Sequence, residues 1–149
     1  MSYSITAPDV WEPSFEGDPD SMLSPDQCVV KGQHFFIKGL IEIPVIGGQD
    51  VFSWGVWVSL SRDDFARALE VRNAEHRDAE KPYFGWLSTE LALYSEGTTN
   101  LKTNAHTRPV GKRPLIELEP TDHPLAVEQR TGITRDRVRE IAMAVLHPA

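Results

Sequence analysis

Polar and cationic side chains alternate with small or apolar ones along residues 98–108. In an extended chain every second side chain points to the same side, so this alternation predicts one row of donors and cations. The row consists of Asn100, Lys102, Asn104, His106 and Arg108. Such side chains hold carboxylates and phosphates through charge-assisted hydrogen bonds. We predict an anion-binding strip, whose ligand-binding residues are Lys102, Asn104, His106, Arg108 and Arg113. Alternatively, the row is a solvated sheet face or a surface on which the acidic N-terminal segment docks.

A carboxylate and an imidazole stand next to each other at Asp122 and His123. A carboxylate can orient an imidazole and raise its basicity, as general-base catalysis requires. In an enzyme, one of the catalytic candidates His106, Asp122 and His123 would move the proton, with His106 as the acid/base and Asp122 as its orienting carboxylate. Lys102 and Arg108 would then hold an anionic substrate. The competing interpretation is that Asp122 or His123 only caps the helix that follows.

Motifs for metals, cofactors and nucleophiles are missing from the sequence. The five histidines have no ligand spacing, and no His-Glu-x-x-His motif occurs. The single cysteine, Cys28, cannot form an intramolecular disulfide, and its apolar neighbours predict a core residue. Neither a Gly-x-Ser-x-Gly elbow nor a glycine-rich nucleotide loop is found. We predict no metal site and no cofactor.

Two long strands are predicted to carry the rest of the fold. Residues 35–45 and 52–60 alternate between apolar and polar side chains, and the turn Gly47-Gly48-Gln49-Asp50 separates them. This pattern predicts a long hairpin. Gly39, in the middle of the first strand, indicates a bulge or a close backbone approach. The polar side of that strand would extend the anion-binding surface through His34, Lys38 and Glu42.

Shorter strands and helices complete the predicted fold. Strands are predicted at 28–30, 83–87, 98–108 and 115–118, and helices after Ser61, from Pro124 and after Thr134. The helix predictions depend on apolar residues at helical spacing and on Ser or Thr as N-caps. We predict an α+β fold: an antiparallel sheet of about six strands built on the central hairpin, with about three helices packed on one face.

Charge is distributed unevenly along the 149 residues. Residues 1–30 contain six carboxylates, no Lys or Arg, and four prolines, whereas residues 97–116 contain four cations and no carboxylate. The length is that of one ordinary domain. We predict an acidic arm at 1–27, irregular or lying on the body, and a single globular α+β domain at 28–149.

Overall composition excludes several classes of function. With 15 Lys and Arg against 22 Asp and Glu, the net charge is −7, so nucleic acid and anionic membranes should be repelled. No apolar stretch approaches the roughly 20 residues of a membrane span. The N-terminus lacks the basic and apolar regions of a secretion signal, which predicts a cytoplasmic protein.

A series of motifs in order along the chain resembles a known bacterial family. The motifs are GVWVSL at 55–60, YFGWL at 83–87, LKT at 101–103, HTR at 106–108, RPLIELEP at 113–120 and DHPLAVEQ at 122–129. They are similar to the family known as domain of unknown function 2199, over residues 28–147. The resemblance implies a bacterial cytosolic protein and supplies no activity. Many relatives begin with a Cys-x-x-Cys segment suggestive of a zinc knuckle, which this chain lacks, so no metal role carries over.

The leading functional hypothesis is a non-enzymatic binding module. Its polar sheet face or exposed aromatic side chains would engage an unknown protein or an anionic small molecule. A basic toxin, neutralised in the way that an immunity protein does it, is one example of such a protein partner. Trp57 is one such aromatic anchor, or else it is buried beneath the arm that carries Trp11 and Phe15. The alternative is a small hydrolase or transferase acting on an anionic small molecule at His106, Arg108 and Lys102.

Overall fold

The structure, a computed structural model, describes residues 1–147. Its strands are β1 (Ser2–Ser4), β2 (Met22–Leu23), β3 (Gln27–Val30), β4 (His34–Pro44), β5 (Val51–Leu60), β6 (Tyr83–Leu87), β7 (Lys102–His106) and β8 (Leu115–Leu118). Its α-helices are α1 (Arg62–Glu70), α2 (Pro124–Thr131) and α3 (Arg135–Leu146), and short 3-10 helices lie at Pro13–Gly17 and Arg77–Ala79. None of these helices has the length and apolar content needed to cross a bilayer.

All eight strands belong to one mixed sheet, in the order β1-β5-β6-β7-β8-β4-β3-β2. β4 also pairs with β5, and this pairing closes β4, β5, β6, β7 and β8 into a five-stranded barrel. Within the barrel, β4 and β8 run parallel and the other neighbours run antiparallel. β1, β2 and β3 lie outside the ring, and β1 pairs with β5 in parallel.

The predicted fold class was therefore wrong. An open antiparallel sheet on a hairpin, with helices on one face, is replaced by a closed mixed barrel. β4 and β5 do pair antiparallel, from Phe35 with Leu60 to Pro44 with Val51. Side-chain alternation shows that a segment is extended, but it contains no information on which distant strand lies beside it or in which direction. The closing contact pairs Leu40 with Leu115, which are far apart in sequence.

Gly39 makes this closure possible. A Cβ atom at residue 39 would lie 2.6 Å from two side-chain carbons of Ile116 and 2.8 Å from the Pro114 carbonyl oxygen. Ile116 is fully buried in the main apolar cluster. The prediction of a close backbone approach at Gly39 is confirmed, since β8 can pack against β4 only where the side chain is missing.

The helices are connected to the barrel through its core. Phe65 of α1, Leu125 of α2 and Ile141 of α3 belong to the same buried cluster as the inward-facing residues of the strands. Ser61 and Thr134 cap α1 and α3 as predicted, since their hydroxyls accept hydrogen bonds from the backbone N–H groups of Asp64 and Arg137.

The N-terminal segment lies against the barrel. β1 pairs with Ser53–Gly55 of β5. Trp57 is fully buried, and its Nε1 donates a hydrogen bond of 2.9 Å to the Ile5 carbonyl. Trp11 and Phe15 pack against the cluster that contains Trp57 and Cys28. Trp57 is therefore covered by the segment rather than free to contact a partner, and burial raises the pKa of the Cys28 thiol to about 11.

Candidate functional site

The strand that carries the predicted anion-binding strip is shorter than 98–108. β7 covers Lys102–His106, with Thr103 and Ala105 buried and Lys102, Asn104 and His106 on the opposite, outward face. Asn100 precedes the strand with a positive φ of 71°, which ends the extended geometry there. Arg108 follows the strand, and its side chain bonds Glu42 instead of continuing the row. The row of five therefore contains only three members on one face.

A carboxylate and two aromatic rings, those of Phe84 and Trp86 in β6, share this outward face. Glu117 lies opposite Asn104 in the neighbouring strand, with its Oε1 3.1 Å from His106 Nε2. Lys102 Nζ lies 5.8 Å from the centroid of the Trp86 ring. Because Glu117 already supplies a negative charge beside His106, this surface has little excess positive charge with which to attract an anion.

His123 acts as a helix cap. Its Nδ1 accepts a hydrogen bond of 3.1 Å from Leu125 N, and its Nε2 donates one of 2.7 Å to the Gly97 carbonyl. Both ring nitrogens are thus used by the backbone, in the tautomer that carries its proton on Nε2. Asp122 is exposed, with no side-chain hydrogen bond within residues 1–147. The structure does not bring His106, Asp122 and His123 together.

A cavity of about 520 Å³ opens beside β4. It lies where β4 changes its edge partner: Ile37 pairs with Gln27 of β3, whereas Leu40 pairs with Leu115 of β8. The end of α1 and the loop between β7 and β8 form the other walls. The volume is within the range of sites for small organic ligands. Because neighbouring residues of a strand point to opposite faces, this gap in the pairing lets both faces of β4 contribute to the lining.

Cations dominate the charged part of this lining. Six lining residues are Lys or Arg and one is a carboxylate, although the whole chain carries a net charge of −7. The cations are Lys38, Arg72, Arg77, Arg108, Lys112 and Arg113, and the carboxylate is Asp26. Of the predicted ligand-binding residues, Arg108 and Arg113 line this cavity; Lys102, Asn104 and His106 do not.

Arg77 organises the cavity wall. Its guanidinium donates to four backbone carbonyls: Nε to Arg108 at 2.7 Å, Nη1 to Arg72 at 2.7 Å, and Nη2 to Pro109 at 3.1 Å and Lys112 at 2.9 Å. These bonds connect the segment after α1 with the loop between β7 and β8. Because four of its five donors are occupied, Arg77 is a positioning residue with little capacity left for a ligand.

Arg108 and Arg113 already have carboxylate partners. Arg108 Nη1 lies 2.9 Å from Glu42 Oε2, and its Nε donates to the Arg113 carbonyl at 2.7 Å. Arg113 Nε lies 2.9 Å from Asp26 Oδ1. The Arg113 pair is partly open to solvent, with 38% and 53% of the two side chains exposed, so a ligand can compete for this guanidinium.

Lys38 is a buried residue whose cation has no partner within residues 1–147. Only 6% of the residue is exposed, and its ammonium forms no hydrogen bond or ion pair with any residue from 1 to 147. Its Nζ lies 5.8 Å from the centroid of the Trp57 ring. Burial, followed by the nearby Arg113, lowers the pKa of Lys38, and Asp26 opposes this only in part. A poorly hydrated ammonium that has no bonded anion is costly, so this position is suited to receive one.

Sequence reasoning missed most of this lining. Lys38 was predicted only as an extension of the polar surface, and Arg72, Arg77 and Lys112 were not predicted at all. They come from β4, the segment after α1 and the loop between β7 and β8. No spacing rule connects these segments, because barrel closure is what brings them together.

Fold and cavity together define a small closed-barrel protein with a cationic, ligand-sized cavity between α1 and the loop from β7 to β8. The family model described as "Uncharacterized protein conserved in bacteria (DUF2199)" matches residues 1–133. The chain therefore belongs to this bacterial family, as the motifs indicated, and the match includes the N-terminal segment that the motifs left out. No curated protein and no solved structure matches the chain.

Proposed function

We propose that the protein binds a small anionic ligand in the cavity between α1 and the loop from β7 to β8. The observation that carries this proposal is Lys38, a residue only 6% exposed whose ammonium has no ion-pair partner among residues 1–147, in a wall with an excess of cations. An anion at this position would supply the missing charge-assisted hydrogen bond. Arg113, at the open side, would provide the second contact by exchanging its bond to Asp26.

The cavity is better suited to an anion than the outward face of β7. On that face His106 has Glu117 beside it, and the side chains lie on the convex surface of a barrel. In the cavity, only 6% of Lys38 is exposed, and electrostatic interactions are stronger at such a poorly hydrated position than on an open surface. Because Lys38 is less hydrated than the side chains on the outward face of β7, the cavity is the better site for an anion.

The chemistry of the lining supports binding rather than catalysis. Among the residues of the described chain that line the cavity, none is His, Cys or Ser, and the carboxylate Asp26 is paired with Arg113. Tyr83 donates its hydroxyl proton to Glu80, and burial followed by that bond raises its pKa to about 12. The wall supplies donors and positive charge, which suit the recognition of an anion.

Thermal stability in the presence of inorganic phosphate and of acetate tests this proposal. Phosphate also stabilises proteins non-specifically, because it is excluded from their surfaces. The informative result is therefore the difference between wild type and Lys38→Met, with Lys102→Met as the control that removes one cation from the outward face. We expect an anion-dependent rise in Tm for wild type and Lys102→Met, reduced by at least half in Lys38→Met. Equal rises in all three proteins would contradict the proposal.

A further inference from the structure

The same cavity has an apolar part. Its apolar lining residues are Ile37, Ala68, Leu69, Val71, Tyr83 and Val110. Ile37 and Tyr83 belong to the buried cluster of the barrel, and Leu69 packs against that cluster. Lys38, the next residue in β4, points to the opposite face, toward Trp57. The cavity therefore extends from a cationic region at one face of β4 to an apolar region at the other.

We infer that the ligand is an amphiphilic anion, with one carboxylate or phosphate head and an apolar body. This inference rests on the proposed function, since it assumes that the cavity is the binding site. The head would contact Lys38 and Arg113, and the body would lie against Ile37, Leu69 and Val71. Apolar wall of this kind stabilises a ligand in proportion to the apolar surface removed from water.

Two observations distinguish this ligand from a polar phosphate compound. A sugar or nucleotide body would place hydroxyl and amide groups against Ile37, Leu69 and Val71, which offer no side-chain hydrogen-bond partners. Two of the lining cations are already neutralised, Arg108 by Glu42 and Arg113 by Asp26. Arg72 and Arg77 donate to backbone carbonyls, which leaves Lys38 and Lys112 as the lining cations without a bonded partner within residues 1–147 and suits one anionic head rather than a chain of phosphates.

Isothermal titration calorimetry with a series of carboxylates tests the apolar body. The probes are acetate, butanoate, hexanoate and octanoate, with octanol as the uncharged control and octyl phosphate as the alternative head. We expect the affinity to rise about three- to fourfold with each added methylene until the apolar wall is covered. Octanol should bind at least tenfold more weakly than octanoate. Comparison of octanoate with octyl phosphate shows which head the site prefers, and tight binding of either supports the inference.

The outcomes separate this inference from the proposed function. If acetate and octanoate bind equally well, the apolar body is wrong and the anion site stands. If octanol binds as well as octanoate, or if no probe binds, both are overturned.

Two variants assign the affinity to the two ends of the cavity. Lys38→Met should reduce octanoate binding at least tenfold, whereas Lys102→Met should leave it unchanged. Leu69→Ser should flatten the dependence on chain length while acetate binding persists. Should Lys38→Met or Leu69→Ser fail to fold, Arg113→Gln and the exposed Val110→Ser test the same two ends. If both Leu69→Ser and Val110→Ser keep the wild-type dependence on chain length, the apolar contact is overturned.

Discussion

Lys38 is only 6% exposed, and its ammonium forms no hydrogen bond or ion pair with any residue from 1 to 147. In a folded protein such a group either loses its proton or acquires a counter-ion, because an isolated buried charge is strongly disfavoured. Asp26 compensates this charge only in part, because its carboxylate is bonded to Arg113, which itself lowers the pKa of Lys38. The presence of an unpaired, poorly hydrated cation in a cavity is better explained by the binding of a ligand than by a contribution to the stability of the fold.

Replacing Lys38 with Met should therefore preserve or raise the stability of the ligand-free protein. We expect a free energy of unfolding at pH 7 equal to that of the wild type or about 1–2 kcal/mol higher, because a desolvated charge is exchanged for an apolar side chain of similar length. Urea unfolding monitored by tryptophan fluorescence measures the difference. A clear loss of stability would mean that Lys38 supports the fold.

The pH dependence of that difference has a definite sign. The pKa of Lys38 in the folded protein is lowered from 10.5, so the unfolded chain binds this proton more tightly. The unfavourable contribution is therefore complete at low pH and is relieved as the pH rises through the folded pKa toward 10.5. Wild type should gain stability relative to Lys38→Met over this interval. A difference that stays constant with pH would contradict the burial of the charge.

Only part of the site could be predicted from individual residues. Arg108 and Arg113 were expected to bind a ligand, and both line the cavity. His106 was grouped with them by alternation, yet it lies on the outward face beside Glu117. Alternation identifies which side of a strand a residue occupies, but it does not show where the strand ends. The positive φ at Asn100 and the turn of Arg108 toward Glu42 are consequences of tertiary contacts.

At the scale of elements, the contact between β4 and β8 determines the architecture. Gly39 accepts the approach of β8, and Leu40 N donates to the Pro114 carbonyl at 2.9 Å next to it. Pro114 also lines the cavity, so the closure of the barrel and the shape of the site depend on the same contact.

Gly39→Ala should disrupt this closure. The added methyl would lie within 2.6 Å of the buried Ile116 side chain, and overpacking of this kind costs about 1–3 kcal/mol. Gly17→Ala is the matched control, because nothing lies within 4 Å of a Cβ atom at that position. Thermal unfolding should show a lower Tm for the first variant only. Similar Tm values for both variants would count against a tight contact between β4 and β8.

Arg77 connects two elements that are separate in sequence. We expect Arg77→Met to lower the free energy of unfolding by about 1–2 kcal/mol, because four backbone carbonyls lose a charged donor in a partly solvated position. Octanoate affinity should fall as well, although Arg77 would not touch the ligand.

Arg139→Met is the control for Arg77→Met. Arg139 pairs with Asp136 where 75% and 89% of the two side chains are exposed, so its loss should be neutral. Retention of full octanoate affinity in Arg77→Met would show that the loop between β7 and β8 keeps its position without this residue.

Individual elements were more predictable than their arrangement. Strands at 83–87 and 115–118 and the two long strands were identified from alternation, and the caps of α1 and α3 from residue type. The parallel pairing of β8 with β4 could not be identified from the sequence, because it joins distant segments through a single registered pair, Leu40 with Leu115. An open antiparallel sheet was the wrong conclusion from correctly identified strands.

At the scale of the whole molecule, positive charge is concentrated where the net charge is negative. The chain carries −7 overall, yet six cations and one carboxylate line the cavity between α1 and the loop from β7 to β8. That carboxylate, Asp26, comes from the acidic N-terminal segment, which also covers Trp57 with Trp11 and Phe15. The segment thus contributes to both the core and the site. A cationic cavity on an acidic surface favours a small anion that can enter it over an extended polyanion, which the surrounding surface would repel.

A titration of ¹⁵N-labelled protein with octanoate, followed by two-dimensional NMR, tests the central claim most directly. Binding in the cavity should shift the backbone amide signals of Lys38, Val71, Gly111 and Arg113 in a saturable manner. The amides of Phe84, Trp86 and Lys102 on the outward face should remain unchanged. Shifts confined to the outward face, or an absence of saturable shifts at the cavity, would contradict the assignment of this cavity as the ligand site.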